Sequence, residues 1–457
     1  MNKKFACLCI LLLAATNLPG CGSDPGFNEN TDFAVDDGSA QFVNLMGDSP
    51  SLTILHGLSR TSVQFPFTSP IELRAADEYD WEIVYLNDPN EFNSDNQIVV
   101  AEGRDQLIKK DSLSTFLLMG NIAQPDIQIV DHDVLPQAER PEGEVKLWFA
   151  NNAKNFPMVD IFVTAAGEDL EDITPLVTLN SGAFSDLFPI SSGLDKQIRV
   201  ISSDSGRLIF DSGPIELPDK SNELFAIVDD FGPNQEEHVN VIRTLSAAQT
   251  VIVDQSQTAR ARIANFSQFE TVSASLNQVQ FAEVTRQNLS GYADIANGNA
   301  ELIVEDSEIV LEESSQPGFD GNFKTVYIFS NENDEGNQGT KSLSVIDDRR
   351  SVVDRAIFSF ANGSNETIDL YAVEPGDGID DQRPLLSDFG FGASGTLEVL
   401  VRPSDLIVAN QESSETLGVL SVDFAPGQSF TVLFDSFGSL RLEVSPYVAY
   451  CAASSYL

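Results

Sequence analysis

Only three histidines, His56, His132 and His238, supply imidazole to 457 residues that carry 70 aspartates and glutamates. Acid–base or metal chemistry would therefore lean on carboxylates. None of the histidines stands in the H-x-H or H-E-x-x-H spacing that brings two ring nitrogens to one metal. Asp131-His132-Asp133 could contribute to a metal site, and an exposed turn between domains accounts for the same tripeptide. No G-x-S-x-G elbow is present. With so few histidines, a Ser/His/Asp triad has little choice of base. Paired carboxylates acting on a polysaccharide need only two acids to converge, so a hydrolase stands as an alternative function.

Two loop patterns resemble ligand motifs. Gly390-Phe391-Gly392-Ala393-Ser394-Gly395 satisfies G-x-G-x-x-G, but TLEVLV (396–401) follows as a strand. A dinucleotide site needs a helix there, whose N-terminus meets the pyrophosphate. Asn331-Glu332-Asn333-Asp334-Glu335-Gly336 has the oxygen donors that open a calcium loop, yet the twelfth position, which needs an acid, is Ser342. The acidic loop Glu374–Asp381 is the better calcium candidate, through Asp377, Asp380 and Asp381. Calcium is thus a candidate partner, and no cofactor is implied.

Lysine and arginine number 26 against the 70 acids, a net charge of −44. Such a surface repels phosphate backbones and anionic lipid, which excludes nucleic acid as a partner. The acids are spread along the whole chain. That favours solubility in salty water, where screening over about 8 Å or less weakens self-repulsion, over one concentrated cation site. A hydrophobic content of 42% with 30 phenylalanines excludes general disorder.

The N-terminus reads MNKKFACLCILLLAATNLPGCGSD. Lys3 and Lys4 precede an apolar run of about eleven residues, too short to span a bilayer and suited to an export signal. Leu18-Pro19-Gly20-Cys21 resembles the lipobox of bacterial lipoproteins. The resemblance implies that residues 1–20 are removed, that the Cys21 thiol is acylated, with palmitate as a label for it, and that Cys21 becomes the first residue. Gly22, rather than Asp, after the cysteine implies the outer membrane. Cys7 and Cys9 leave with the signal, so Cys451 is the one cysteine left beside Cys21 and no disulfide within the mature chain is expected. The mature chain would hold 24 basic against 70 acidic side chains, a net charge of −46.

Self-comparison exposes four copies of one pattern, at 40–55, 145–163, 259–276 and 356–373. Each is an alternating strand that reaches an asparagine (Asn44, Asn151, Asn265, Asn362), a polar turn, and a second alternating strand. Further strands recur in each copy: WEIVYL (81–86), QIRVIS (197–202), AELIVE (300–305) and TLEVLV (396–401), then TFLLMGN (115–121), LFAIVDDF (224–231), TVYIFSN (325–331) and FTVLFDSF (430–437). Short strands broken by Gly, Pro, Asn and Asp read as antiparallel β structure. Period-2 alternation predicts one buried and one wet face. A turn of helix is allowed only in a connector such as 245–249.

The predicted fold is all-β: four tandem immunoglobulin-like antiparallel β-sandwiches of about seven strands each, at 39–138, 139–255, 256–350 and 351–457, behind a flexible tether over 21–38. Strand–Asn–turn–Asp–strand units in tandem behind a lipobox resemble a bacterial domain-of-unknown-function family of repeated sandwiches in envelope lipoproteins. Asp160-Ile161-Phe162-Val163 and Asp369-Leu370-Tyr371-Ala372 carry the pattern best. Thr53 and Ser273 replace the aspartate in the first and third copies, which makes it a turn-capping residue rather than a ligand. The resemblance transfers no catalytic residue. The expected function is a non-enzymatic, lipid-anchored envelope protein: a stalk of sandwiches that is structural, or that binds a protein or glycan. The alternative to surface display is a periplasmic accessory subunit of an envelope complex.

Overall fold

The computed structural model describes residues 37–444 except 88–92, 134–138, 233–234, 246–247, 308, 333–337, 381 and 436–438. Residues 1–36, which hold the expected signal, Cys21 and most of the expected tether, lie outside the described residues. Among the described residues the chain is all-β, and its one helical element is a 3-10 turn at Ser94–Asn96.

Four consecutive sets of strands follow the four sequence copies. The first is β1 (Asp37–Asn44), β2 (Leu52–His56), β3 (Ser59–Val63), β4 (Glu72–Ala75), β5 (Glu78–Leu86), β6 (Gln97–Leu107), β7 (Ser112–Asn121) and β8 (Gln124–Asp133). The second is β9 (Glu144–Asn152), β10 (Met158–Ala165), β11 (Val177–Asn180), β12 (Ala183–Phe184), β13 (Phe188–Ser191), β14 (Gly193–Ser202), β15 (Leu208–Asp211), β16 (Ile215–Leu217), β17 (Asn222–Asp229), β18 (Val239–Leu245) and β19 (Ala248–Ile252). The third is β20 (Ala259–Phe266), β21 (Thr271–Leu276), β22 (Val279–Thr285), β23 (Ala293–Ile295), β24 (Gly298–Asp306), β25 (Ile309–Phe319), β26 (Phe323–Glu332) and β27 (Gln338–Ile346). The fourth is β28 (Arg355–Asn362), β29 (Ile368–Val373), β30 (Leu386–Phe389), β31 (Ser394–Leu400), β32 (Pro403–Asn410), β33 (Thr416–Asp423), β34 (Ser429–Phe434) and β35 (Leu440–Val444).

Each set makes two sheets. In the first set one sheet has the order β4-β1-β7-β8 and the other β3-β2-β5-β6. The third and fourth sets repeat this order strand for strand, and the second splits two positions into shorter strands and adds β19. The two sheets of a set share one apolar core. Phe42, Phe116 and Leu118 meet Ile54, Trp81 and Ile83 in the first, and Phe358, Phe360 and Val432 meet Leu370, Leu406 and Val408 in the fourth. Each such buried side chain contributes roughly 1.5–3 kcal/mol.

The pairing differs from the expected antiparallel pattern in one place per set. The first strand lies parallel to the seventh-position strand: β1 with β7, β9 with β17, β20 with β26 and β28 with β34. The full complement is eight or more strands per set rather than about seven. TLEVLV does not match WEIVYL. It belongs to β31, at the edge beside β28, and the counterpart of β5 is β32. The helical turn expected over 245–249 is not seen at its described ends: Leu245 and Ala248 are strand residues of β18 and β19 that pair with each other, and 246–247 lie outside the described residues. Asp37 and Gly38, assigned to the tether, pair with Ala75 and Arg74.

The expectation of one wet face fails for the sheets that contain the parallel pairs. Val43, Leu117, Met119, Trp148, Leu224 and Ala226 form a second core between the first and second sets. Ala264, Phe266, Tyr327, Phe329, Ala361 and Leu433 do the same between the third and fourth. These inner sheets pack back to back, so their central strands are buried on both faces. Near-continuous apolar runs such as FTVLF follow from that burial. The approach is close: a Cβ on Gly363 would lie 2.1 Å from the Phe329 ring. Asn152 stitches the first pair polar-wise, donating to the Leu45 carbonyl (2.6 Å) and accepting from the Gly120 N–H (2.8 Å).

Candidate functional site

The four repeated asparagines sit at the end of the first strand of a set, as its last residue (Asn44, Asn362) or its last but one (Asn151, Asn265), and all are buried with 0% exposure. Each side-chain oxygen accepts from the N–H two residues on: Met46, Ala153, Ser267 and Ser364 at 2.9–3.1 Å. Each side-chain amide then donates inward. Asn265 reaches the carbonyls of Phe269 (3.2 Å) and Val284 (3.0 Å), and Asn362 those of Glu366 and Phe389 (both 2.8 Å). Asn151 bonds Phe156 and Leu179 in the same way, while Asn44 donates to the Ser49 hydroxyl. One side chain thus satisfies a buried turn and, in three sets, ties the first strand to the third-position strand of the facing sheet. A buried backbone carbonyl left unpaired is costly, which explains why every copy keeps the residue.

The repeat aspartates sit in the second strand and hold the third. Asp160 accepts from the Thr178 hydroxyl (2.6 Å), and Asp369 accepts from the Asp388 N–H (3.0 Å). Asp377 and Asp380 are exposed in the loop after β29, and Asp381 lies outside the described residues. The loop is a turn in which the Gly376 N–H donates to Asp405 (2.8 Å). Among the described residues no group of three or more His, Cys, Asp or Glu gathers as a metal site would. Gly390–Gly395 joins β30 to β31, two strands. Residues 333–336 of the Asn331–Gly336 motif lie outside the described residues, and Ser342 donates to Glu312.

The histidines do not converge. His132 is no exposed turn: it lies in β8 opposite Leu113, buried, with its ring edge-on to Trp148 at 4.5 Å. His238 bonds Asp254 at 2.9 Å. Burial alone would raise the Asp254 carboxyl, but bonds from His238, Ser256 and the Asp211 N–H bring it below the usual range. His56 is enclosed by Phe42, Tyr79 and Phe116, and neither ring nitrogen has a hydrogen-bond partner.

Burial, then the nearby Arg74 cation, lowers His56 to about 4. The unfolded chain therefore binds a proton near pH 6.5 that the folded chain refuses until about pH 4. Stability from this residue is complete above the unfolded value and is lost as pH falls, by about 2–3 kcal/mol at pH 4.5. Asp230, raised by burial to about 6, works oppositely in the same window, because its folded form takes up a proton first. The difference between wild type and His56→Leu isolates the histidine. Guanidinium unfolding at pH 7.5 and 4.5 should show that wild type loses about 2–3 kcal/mol more than the variant; equal losses would disprove the assignment.

The groups that sequence reasoning missed lie where the first set meets the fourth. The Ser51 N–H donates to Glu398 (2.7 Å), Tyr85 donates to Asp354 (2.8 Å), the Val353 N–H donates to Asp48 (3.0 Å), and Arg355 donates to the Leu86 carbonyl. Arg350 lies over the Phe65 ring at 5.2 Å. A cleft of about 410 Å³ opens there, with Arg60, Arg350, Arg355 and Glu398 among hydroxyl-bearing Ser51, Thr53 and Thr396. Burial raises the Glu398 carboxyl, opposed by the Ser51 N–H and the two nearby arginines, Arg350 and Arg355. The cleft brings polar and charged groups of two sets together.

No protein-family model matches the chain, and no curated protein matches it in sequence.

Proposed function

We propose that the chain is a lipid-anchored, non-enzymatic protein of the cell envelope, held at the outer membrane through Cys21. We read its four strand sets as four immunoglobulin-like sandwich domains that act as a structural and binding module for a protein or glycan. The lipobox-like Leu18–Cys21 and the repeats support the address and the modular build. The observation that carries the binding role is the cleft where the first set meets the fourth. There, charged and hydroxyl groups from segments 269 to 347 residues apart are held together by several direct hydrogen bonds. A recognition surface of that kind needs rigid support, which the back-to-back inner sheets supply. The stalk expected from the repeats gives way to a more consolidated platform, because the first and fourth sets touch.

The test labels cells with palmitate and then treats them with protease. Label should enter wild type and be absent from Cys21→Ala. Label that persists in the variant removes the anchor. Digestion of the protein on intact cells supports surface display, whereas protection until the envelope is opened supports the periplasmic accessory subunit.

A further inference from the structure

We propose that a cavity between the inner sheets of the first and second sets binds a small hydroxylated aromatic carboxylic acid. The apolar layer between these sheets stops short of one end, and a cavity of about 130 Å³ opens there, walled by Trp148, Leu224, Gln41, Thr115 and Thr244, with Arg140 on its lining. Thr115 is 1% exposed and Thr244 5%, and neither hydroxyl has a hydrogen-bond partner. Buried hydroxyls are ordinarily paired, and two orphans on one cavity call for a polar guest.

The third set shows the same positions with their polar groups paired. In the parallel pairing, Gln41 sits opposite Thr115 as Arg262 sits opposite Thr325. Thr325 is fully bonded: it accepts from Arg262 (2.8 Å) and donates to Asp347 (2.8 Å). By the same register Asp347 corresponds to His132 of the first set, whose ring packs on Trp148 instead. Where the third set spends its threonine on an internal network, the first set leaves it facing a void.

Size, walls and charge define the guest. A cavity of about 150 Å³ has room for one benzene-sized ring, and Trp148, Leu224 and Ile71 supply apolar walls. The threonine hydroxyls would meet a ring hydroxyl. Arg140 also lines an adjoining hollow with Lys146 and Lys220, alongside Glu144. Set against Glu144, and against Glu142 at 3.9 Å from the Lys220 ammonium, these three cations leave one net positive charge, which suits a carboxylate at the rim.

The full chain is titrated with 4-hydroxybenzoate and with benzoate, followed by tryptophan emission and calorimetry. Saturable binding of 4-hydroxybenzoate is expected, with benzoate weaker by about tenfold. Thr115→Val and Thr244→Val keep the side-chain shape and remove an unpaired hydroxyl, so the fold should melt no lower. Each should weaken 4-hydroxybenzoate by about tenfold and leave benzoate unchanged. No saturable binding of either acid by wild type overturns the proposal. So does an equal loss for both acids in the variants. Neither result bears on the membrane anchor or the first–fourth cleft.

Discussion

Asn265→Ala should lower the unfolding free energy by about 3–5 kcal/mol, and Asn362→Ala by a similar amount. The truncation strands three backbone groups at once, two of them buried and one half-buried. In the third set these are the Ser267 N–H and the carbonyls of Phe269 and Val284. Each orphaned group costs about 1–3 kcal/mol, and the small void adds to that. Asn265→Asp should be at least as harmful, because it keeps the acceptor, removes both donors and buries a charge. Asp160→Ala is the contrast. Its one bond is to a hydroxyl on an exposed part of the sheet, so its cost should stay near or below 1 kcal/mol. Denaturant midpoints of the four variants measure this. An Asn265→Ala protein as stable as wild type would mean that the turn is satisfied by other means.

Phe329→Ala should cost about 3–5 kcal/mol, the range for a fully buried aromatic side chain. Phe329 is not part of the third set's own core. It faces the fourth set, over Gly363 and beside Phe266 and Phe391. Were the sets separate beads, the ring would lie in water and its loss would change stability by no more than about 0.5 kcal/mol. Gly363→Val approaches the same contact from the other side, by driving a side chain into the ring. Both variants should also speed proteolysis between the third and fourth sets, at the segment around 347–354. An unchanged midpoint for Phe329→Ala would return the molecule to a string of independent units.

Strand content was legible because it is local. Alternation marks β21, whose burial alternates residue by residue, and turn residues mark its ends. The asparagine was legible because it recurs at steps of 107, 114 and 97 residues, although its role as a tie between sheets is a matter of three-dimensional register. The two-sided burial of β28 and β34 left a trace in the sequence, the continuous apolar runs. Those runs fit a buried parallel pair as well as a sandwich core, and alternation elsewhere in the copy favoured the second reading. TLEVLV was aligned to the wrong partner because edge and central strands share composition. The true counterpart begins with Pro403, which a strand tolerates at its first residue but which weakens its signal. The first–fourth cleft left no local trace, since its partners stand about 300 residues apart. Nor did the two orphan threonines, which look like any strand threonine until their surroundings are known.

The parallel pairing of first and seventh-position strands sets an order on assembly. As the chain emerges from its N-terminus, β1 can find β4 early but waits about seventy residues for β7, and its outer face waits for the second set. Loop closure over such spans is slow compared with hairpin formation. Apolar strands therefore stay uncovered during biosynthesis longer than in a row of self-sufficient hairpin domains, and a net charge of −44 opposes contact between such half-built chains by mutual repulsion.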